Sequence, residues 1–355
     1  MSDSTEGQVP ARHFHENDLF HTSIGFDMRA PAFGAPAPEL YAAAMEMIAY
    51  ADASGIDKVD FQEHHCSEDG YLPTPFLMGT AAAMRSKRIA IVLGAVLMPL
   101  HDPVKLSEMI AVADLVSGGR IYTILAAGYA LHEFDAFGVS IHERGRLMDE
   151  GFEIILRALS GERFRYGTRE IFVRPLPARA VREIVYGGGG APAAARRAAR
   201  FGLGMWPMND SIIAVYEEEC RKLARVPGKL IRGYTSVHVC DDPERGWREI
   251  GPHVLHVVRS YAAWSSSREV SASPMHGMDT LDDVRKSGMI QVVTPQQAIE
   301  LGKSGPIGVT PLIGGLTPEI GWRSLQLFVD RVLPQIKGAM ANRAPTSLRG
   351  SSELV

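Results

Sequence analysis

Two kinds of segment alternate along most of the chain. Short apolar runs, most of them continuous, are followed by longer stretches in which apolar residues recur at helical spacing. The runs lie at residues 23–29, 58–63, 89–98, 120–128, 182–189, 203–208, 230–240 and 305–314. Continuous apolar runs are typical of parallel strands covered by helices, and eight strand–helix units close naturally into a barrel. The pattern therefore predicts the α/β class, as a single (β/α)8 TIM barrel with insertions.

The helix boundaries carry local signals. Helix starts are predicted where a capping residue precedes a proline, because proline at the first helical position loses no hydrogen bond. These prolines are Pro75, Pro103, Pro243, Pro295 and Pro318. Thr294 and Gln297 have capping-box spacing. Glycines that allow the chain to turn back predict helix ends, among them Gly55, Gly118, Gly202 and Gly338.

Two stretches interrupt the repeat, and both ends of the chain differ from it. We expect the barrel to span residues 17–341, with tails at 1–16 and 342–355. The insertion at 161–179 predicts a small hairpin. The insertion at 264–288 is rich in Ser, Asp and Met. It is open to two interpretations, a lid over the site or a disordered surface insertion without a role.

Charge and composition exclude several classes of function. The 355 residues carry 37 Lys plus Arg and 41 Asp plus Glu, a net charge of -4 with the signs interspersed. Neither nucleic acid nor an anionic membrane is therefore an expected partner. The apolar stretch 89–100 is too short to span a bilayer, and the first twenty residues lack the apolar core of a secretory signal, so neither membrane insertion nor export is expected. The cysteines form no C-x-x-C pair. We expect a cytoplasmic protein.

Candidate chemistry lies where the predicted strands end, because barrel active sites form at that face. His64 follows the second strand, where an imidazole could stabilise an anion or move a proton. Four residues near strand ends or in the following loops are candidates for substrate contact: Tyr71, Met98, His132 and Trp206. A small organic substrate is expected from this apolar mouth. His253 and His256 lie three apart, but without a carboxylate partner they indicate a solvated helix face, and no metal is predicted.

The fifth predicted strand ends in four glycines before a helix. Free N–H groups of Gly188, Gly189, Gly190 and Ala191 at a helix start would attract a phosphate. The same residues fit a dinucleotide fingerprint, with Asp210 placed to meet a ribose. That alternative is less consistent with a position in the middle of uniform strand–helix units.

A series of residues in fixed register points to a known family. The series runs from Glu63-His64-His65 through Pro99 and Asp102-Pro103-Val104 to Phe134-x-x-Phe137-Gly138, and it returns at Gly315-Leu316-x-Pro318-Glu319. In these residues the chain resembles the luciferase-like flavin-dependent monooxygenases, the family of the bacterial luciferase α subunit. The resemblance covers nearly all of the predicted barrel.

The resemblance implies a chemistry and a set of residues. Reduced FMN, supplied by a separate reductase, would react with dioxygen to a C4a-peroxyflavin that oxygenates an organic substrate. His64 would be the catalytic histidine. Flavin-binding residues would be Glu63, Gly94, Ala95, Gly128, Tyr129 and Gly188–Ala191, with a cis peptide between Gly94 and Ala95. Family members commonly form dimers, so a homodimer is expected.

The chain also departs from the family pattern. The arginine and hydroxyl residues that hold the flavin phosphate in luciferase are replaced by Ala127 and by Ala191-Pro192-Ala193-Ala194. Either the glycine backbone with Arg196 or Arg197 holds the phosphate, or the cofactor differs. The alternatives are an oxidoreductase that transfers hydride with the deazaflavin coenzyme F-420 and a non-catalytic flavin-binding relative.

Overall fold

The computed structural model describes residues 13–265 and 278–343, the side chains of 341–343 excepted. Nine parallel strands form one sheet in the order β10-β9-β11-β1-β2-β3-β4-β7-β8. These strands are β1 (Thr22–Phe26), β2 (Lys58–Phe61), β3 (Ala90–Leu97), β4 (Ile121–Ala126), β7 (Val185–Gly189), β8 (Gly204–Pro207), β9 (Thr235–Val239), β10 (Ile290–Val293) and β11 (Ile307–Val309). All eight predicted strands are present, and β10 is an additional strand that pairs with the outer edge of β9.

The segment at Leu230 connects the β8 edge of the sheet to the chain just before β1. The N–H of Met205 in β8 donates to the carbonyl of Lys229 at 3.1 Å, the N–H of Ile231 donates to the carbonyl of Met205 at 2.9 Å, and the N–H of Leu19 donates to the carbonyl of Leu230 at 3.0 Å. Leu230 thus forms parallel bridges both to Met205 and to Asp18, just before β1. The architecture is the TIM barrel that the hydrophobic pattern predicted.

Thirteen α-helices are described, and most pack on the outside of the strands. They are α1 (Ala37–Ser54), α2 (Pro75–Arg85), α3 (Pro103–Ser117), α4 (Leu131–Ala136), α5 (Arg144–Leu159), α6 (Val181–Ile184), α7 (Pro192–Phe201), α8 (Asp210–Lys222), α9 (Pro243–Trp264), α10 (Leu281–Ser287), α11 (Pro295–Ser304), α12 (Pro318–Leu327) and α13 (Leu333–Arg343). Among the helices that the structure describes, none combines the length and apolar composition of a membrane span.

The predicted helix boundaries are largely confirmed. Each of the five prolines begins a helix, and Thr294 forms the expected capping box with Gln297. Gly55, Gly118 and Gly202 adopt positive φ after α1, α3 and α7. The prediction of a helix end at Gly338 is wrong, because α13 continues through this residue to Arg343. Glycine lowers helix stability but does not by itself end a helix that packs on the barrel.

The two insertions differ in outcome. The hairpin is confirmed as β5 (Phe164–Tyr166) and β6 (Arg169–Ile171), paired antiparallel. The second insertion begins inside α9, and its later part contains α10. Residues 266–277 of the predicted lid, like much of both predicted tails, lie outside the described residues.

Candidate active site

His64 lies three residues beyond the end of β2 and is buried with only 7% of its surface exposed. Its Nδ1 is 2.9 Å from Oε1 of Glu133, which the short helix α4 carries in from the loop after β4. The same oxygen accepts the backbone N–H of His65 at 2.8 Å. An ionised carboxylate only accepts hydrogen bonds, so Nδ1 carries the proton and Nε2 is the atom left for chemistry.

Glu133 is fully buried, and its second oxygen is not used. Oε2 has no hydrogen-bond partner among the residues that the structure describes. A buried carboxylate with an open acceptor can receive a proton or bind a donor from a ligand. Sequence reasoning assigned no role to Glu133. The signal available was an acidic residue among apolar neighbours at the start of a helix on the functional face.

Glu63 and His65 form a separate cluster from His64, as the alternation of strand side chains requires. Oε1 of Glu63 contacts Nε2 of His65 at 2.9 Å and Nε2 of His101 at 2.8 Å, and Oε2 accepts the N–H of Leu97 at 2.7 Å. Burial works to raise the pKa of Glu63. The hydrogen bonds from His101, His65 and Leu97 outweigh burial and lower this pKa to about 2.

The carboxylate of Glu63 offers a cofactor no open acceptor, and the binding of a cofactor by Glu63 stays a prediction. Its side chain is 1% exposed, and both carboxylate oxygens are used within the protein. Glu63 instead positions the end of β3 through Leu97. The three ligand atoms of Glu63, His65 and His101 lie within 4.8 Å of one another, a spacing that a metal ion could use. Their mutual hydrogen bonds already account for this spacing.

The peptide bond between Gly94 and Ala95 is cis, as the resemblance implied. At this point the register between β3 and β4 shifts by one residue. A Cβ at Gly94 would lie 2.6 Å from Cδ1 of Ile124, so a larger residue here would require the Ile124 side chain to move. Ala95 packs against a buried apolar cluster formed by Val92, Ile124, Tyr186 and Ile231. The predicted substrate residue Trp206 packs against the same cluster.

Aromatic rings surround His64 at the barrel mouth. Ring-centroid distances from His64 are 4.8 Å to Tyr71, 5.8 Å to Tyr129, 5.5 Å to Tyr261 and 4.7 Å to Trp264. The ring of His132 lies 5.7 Å from Trp264. Three predicted residues thus meet around His64 or its neighbours. Tyr261 and Trp264, from the last turn of α9, were missed, because sequence alone does not show that this helix end crosses the mouth.

A buried ion cluster borders the same rings. Arg29, three residues after β1, is fully buried, and its Nη1 donates to Oδ2 of Asp69. His256 of α9 contacts that oxygen through Nε2 at 2.7 Å. Burial works to raise the pKa of Asp69, but Arg29, Ser67 and His256 hold it below its usual value. His256 therefore lies against Asp69 and does not form the solvated face expected from the sequence.

Met98, predicted as a substrate contact, is buried against α5, and its role in substrate binding stays a prediction. It begins the 3-10 turn Met98–Leu100, is 1% exposed, and packs on α5 so closely that a Cβ at Gly151 would lie 2.1 Å from its sulfur. The turn directs the side chain away from the barrel axis. Gly128 has φ 71°, and a Cβ there would lie 3.1 Å from Phe134, so this glycine forms the turn after β4.

The glycine turn after β7 is closely packed. A Cβ at Gly188 would lie 2.5 Å from Ile124, and one at Gly190 would lie 2.6 Å from Met208. Gly189 has φ 143°, and Ala191 caps α7 without a side-chain hydrogen bond. Arg197 is committed to Asp149 at 2.6 Å and to the carbonyl of Gly145 at 3.2 Å. A phosphate at this turn would therefore depend on backbone N–H groups and on Arg196, which is exposed on α7.

Sequence comparisons place these features among known proteins. A family model described as luciferase-like monooxygenase matches residues 24–301. Limonene 1,2-monooxygenase of Rhodococcus erythropolis is 22% identical over 333 residues, 87% of this chain and 84% of the relative. The uncharacterized protein y4vJ of Sinorhizobium fredii is 29% identical over 131 residues, and this match spans 37% of each chain.

Solved structures share the fold. Monooxygenase RslO1 from Streptomyces bottropensis has a TM-score of 0.73 and 23% identity, covering 88% of this chain and 99% of that one. The oxygenating constituent of 3,6-diketocamphane monooxygenase of Pseudomonas putida, in complex with FMN, has a TM-score of 0.65 and 16% identity, with coverage of 89% and 99%. An F-420-dependent secondary alcohol dehydrogenase has a TM-score of 0.64 and 15% identity, and the match covers 90% of this chain and 99% of that one.

Proposed function

Because the chain belongs to the luciferase-like monooxygenase family, we propose that it is a flavin-dependent oxygenase that uses reduced FMN and dioxygen. One oxygen atom would enter a small organic substrate and the other would leave as water, while reduced FMN becomes FMN. The observation that carries the proposal is the buried pair of His64 and Glu133 under the aromatic mouth.

The residues at the mouth fit the ring system of a flavin better than its phosphate. The cis peptide of Gly94 and Ala95 lies within β3, and Glu133, whose Oε2 is open, is bonded through Oε1 to His64. When bound, reduced flavin supplies the two electrons that activate dioxygen. His64, held by Glu133, would hold or move a proton at Nε2, and the surrounding rings would exclude water.

The residues available to hold the flavin phosphate support a flavin that binds and dissociates in each turnover. Neither a hydroxyl side chain at positions 191–194 nor an arginine at position 127 is available, and Arg197 is paired with Asp149, which leaves Arg196 as the arginine at this turn. Backbone groups with one exposed arginine would hold the phosphate weakly. This fits reduced FMN that a separate reductase delivers for each turnover.

The missing side-chain ligands for a flavin phosphate also leave one alternative function open, hydride transfer with coenzyme F-420. An anaerobic titration of the purified protein with FMN, reduced FMN and reduced F-420 separates the two. We expect reduced FMN to bind more tightly than FMN and to be oxidised when dioxygen is admitted. Selective binding of F-420 without reaction with dioxygen would replace the proposal by the alternative.

The role of His64 can be tested on the same complex. Loss of general acid–base catalysis lowers rates by about 10²- to 10⁴-fold. We therefore expect His64→Ala to slow incorporation of ¹⁸O from labelled dioxygen into the product by that factor, while His142→Ala, at an exposed position, leaves it unchanged. Full turnover by His64→Ala would contradict the role.

We also propose that two copies associate through α2 and α3. These neighbouring helices expose large apolar side chains to an unusual extent: Leu77 69%, Met84 75%, Val112 44%, Leu115 45% and Val116 45%. A patch of this kind on adjacent elements is typical of an interface between protein chains. The expected assembly is a homodimer.

A further inference from the structure

The guanidinium of Arg29 is only partly satisfied. It has five N–H donors, and its side chain is 0% exposed. Nη1 donates to Asp69, whereas Nε and Nη2 have no hydrogen-bond partner among the described residues. Buried polar groups in native proteins nearly always have partners, so two open donors on one buried cation indicate an acceptor supplied from outside.

The nearby carboxylates do not complete this partner set. Asp27 comes no closer than 4.0 Å to Nε of Arg29. Its oxygens accept the backbone N–H groups of Arg29 at 3.1 Å and Gly314 at 2.9 Å. Burial raises the pKa of Asp27, against the opposing effect of Arg29 and of these two N–H groups. Asp69 is shared between Arg29 and His256, so it does not balance Arg29 alone.

Arg29 and His64 lie against the same three rings. The guanidinium carbon is 4.5 Å from the ring centroid of Tyr71, 5.3 Å from Tyr261 and 4.9 Å from Trp264. The ring of His64 contacts all three as well. Because Tyr71 and Tyr261 are joined through their hydroxyls at 2.9 Å, a ligand has to separate these rings to reach both the open edge of Arg29 and the imidazole.

We propose that Arg29 binds the carboxylate of the organic substrate and so determines the substrate class. The open donors Nε and Nη2 form one edge of the planar guanidinium, and the two oxygens of a carboxylate match such an edge with two parallel hydrogen bonds. The rings of Tyr71, Tyr261 and Trp264 cover the apolar part of the molecule. This inference rests on the proposed function for the reaction, whereas the binding itself does not require flavin.

The test uses the full chain without flavin and three carboxylates, butyrate, benzoate and decanoate, each beside its primary amide. Calorimetry should give at least one carboxylate a dissociation constant tenfold or more below that of its amide. Arg29→Lys keeps the positive charge beside Asp69 but lacks the Nε–Nη2 edge of the guanidinium. This variant should therefore bind the carboxylate no more tightly than the amide. The matched control is Arg232→Lys, a buried arginine paired with Asp18 and Asp210 that belongs to another cluster.

A second readout does not depend on the folding of Arg29→Lys. Trp264 is one of four tryptophans and lies over Arg29, so carboxylate binding should change the tryptophan fluorescence. Trp264→Phe should lose this change and keep the calorimetric preference. Equal binding of acids and amides by the wild type, a preference retained in Arg29→Lys, or a fluorescence change retained in Trp264→Phe would each overturn the inference.

Flavin is the other molecule with acceptor oxygens that could face Arg29. We expect Arg29→Lys to bind reduced FMN with an affinity within threefold of the wild type. A tenfold loss of affinity for reduced FMN, with carboxylate binding unchanged, would assign the open donors to flavin and overturn the inference. Failure of the proposed function would instead appear as a wild type that does not bind reduced FMN.

Discussion

Glu63 is expected to make the stability of the protein depend on acid pH. The hydrogen bonds from His101, His65 and Leu97 lower its pKa from 4.5 to about 2. In the unfolded chain this carboxyl takes up a proton near pH 4.5, whereas in the folded protein it stays ionised to about pH 2. The stabilisation is therefore complete above pH 4.5 and is lost as the pH falls through this interval.

The magnitude follows from the size of the shift. Each pKa unit corresponds to about 1.4 kcal/mol, so a shift of about 2.5 units contributes roughly 3 kcal/mol at pH 7. The same relation gives a loss of about 2 kcal/mol on going from pH 7 to pH 3. Glu63→Gln removes the ionisation, so the variant should be about 3 kcal/mol less stable at pH 7 and about 1 kcal/mol less stable at pH 3.

Urea unfolding of the wild type and Glu63→Gln at pH 7, 5, 4 and 3 measures this difference directly. Glu46→Gln, at an exposed position of α1, is the matched control and should give a difference near zero at every pH. A destabilisation by Glu63→Gln that is the same at pH 7 and pH 3 would refute the reasoning, because the charge of Glu63 would then not stabilise the end of β3.

Three further predictions concern the mouth and the surface. Glu133→Gln weakens the hydrogen bond to His64 by about 1 kcal/mol, so ¹⁵N NMR should show two imidazole tautomers of His64 instead of one, while Asp135→Asn on the same helix should leave the spectrum unchanged. Because the Met98 side chain packs on α5, Met98→Ala should lower the free energy of unfolding by about 2–5 kcal/mol and leave the affinity for reduced FMN unchanged. A change in this affinity without a loss of stability would show that Met98 contributes to the binding site. Met84→Asp should convert a dimer into monomers in light scattering without lowering the melting temperature, and an unchanged mass would exclude this face as the interface.

The barrel could be predicted because its signals are local. Continuous apolar runs mark the strands, and proline after a capping residue marks the helix starts, as at Thr294 and Pro295. The short strand β10 was missed because its four residues lie between the predicted insertion, which ends with α10, and a helix start. The predicted end of the last helix at Gly338 was wrong because a single glycine is a weak stop signal inside a packed helix.

The site could be predicted only where one strand end determines it. His64 was found from its position after β2, but its partner Glu133 lies 69 residues away, and the two meet only in the folded chain. Tyr261 and Trp264 are further still, because they reach His64 through the direction of α9. Arg29 was included in a predicted strand, and only its burial with open donors distinguishes it from a surface arginine.

After β2, successive side chains alternate between two environments, so Glu63 and His65 lie in a structural cluster and His64 lies at the candidate active site. Glu63 and His65 point away from His64, and the carboxylate of Glu63 has donors on both oxygens, which suits a group that must stay ionised and fixed. Glu133, which serves His64, has donors on one oxygen only. A fully bonded carboxylate gains nothing from a ligand, whereas a half-bonded one beside an imidazole can share a proton with whatever enters the mouth. The open oxygen of Glu133 and the open edge of Arg29 thus mark the two sides from which a ligand would complete the site.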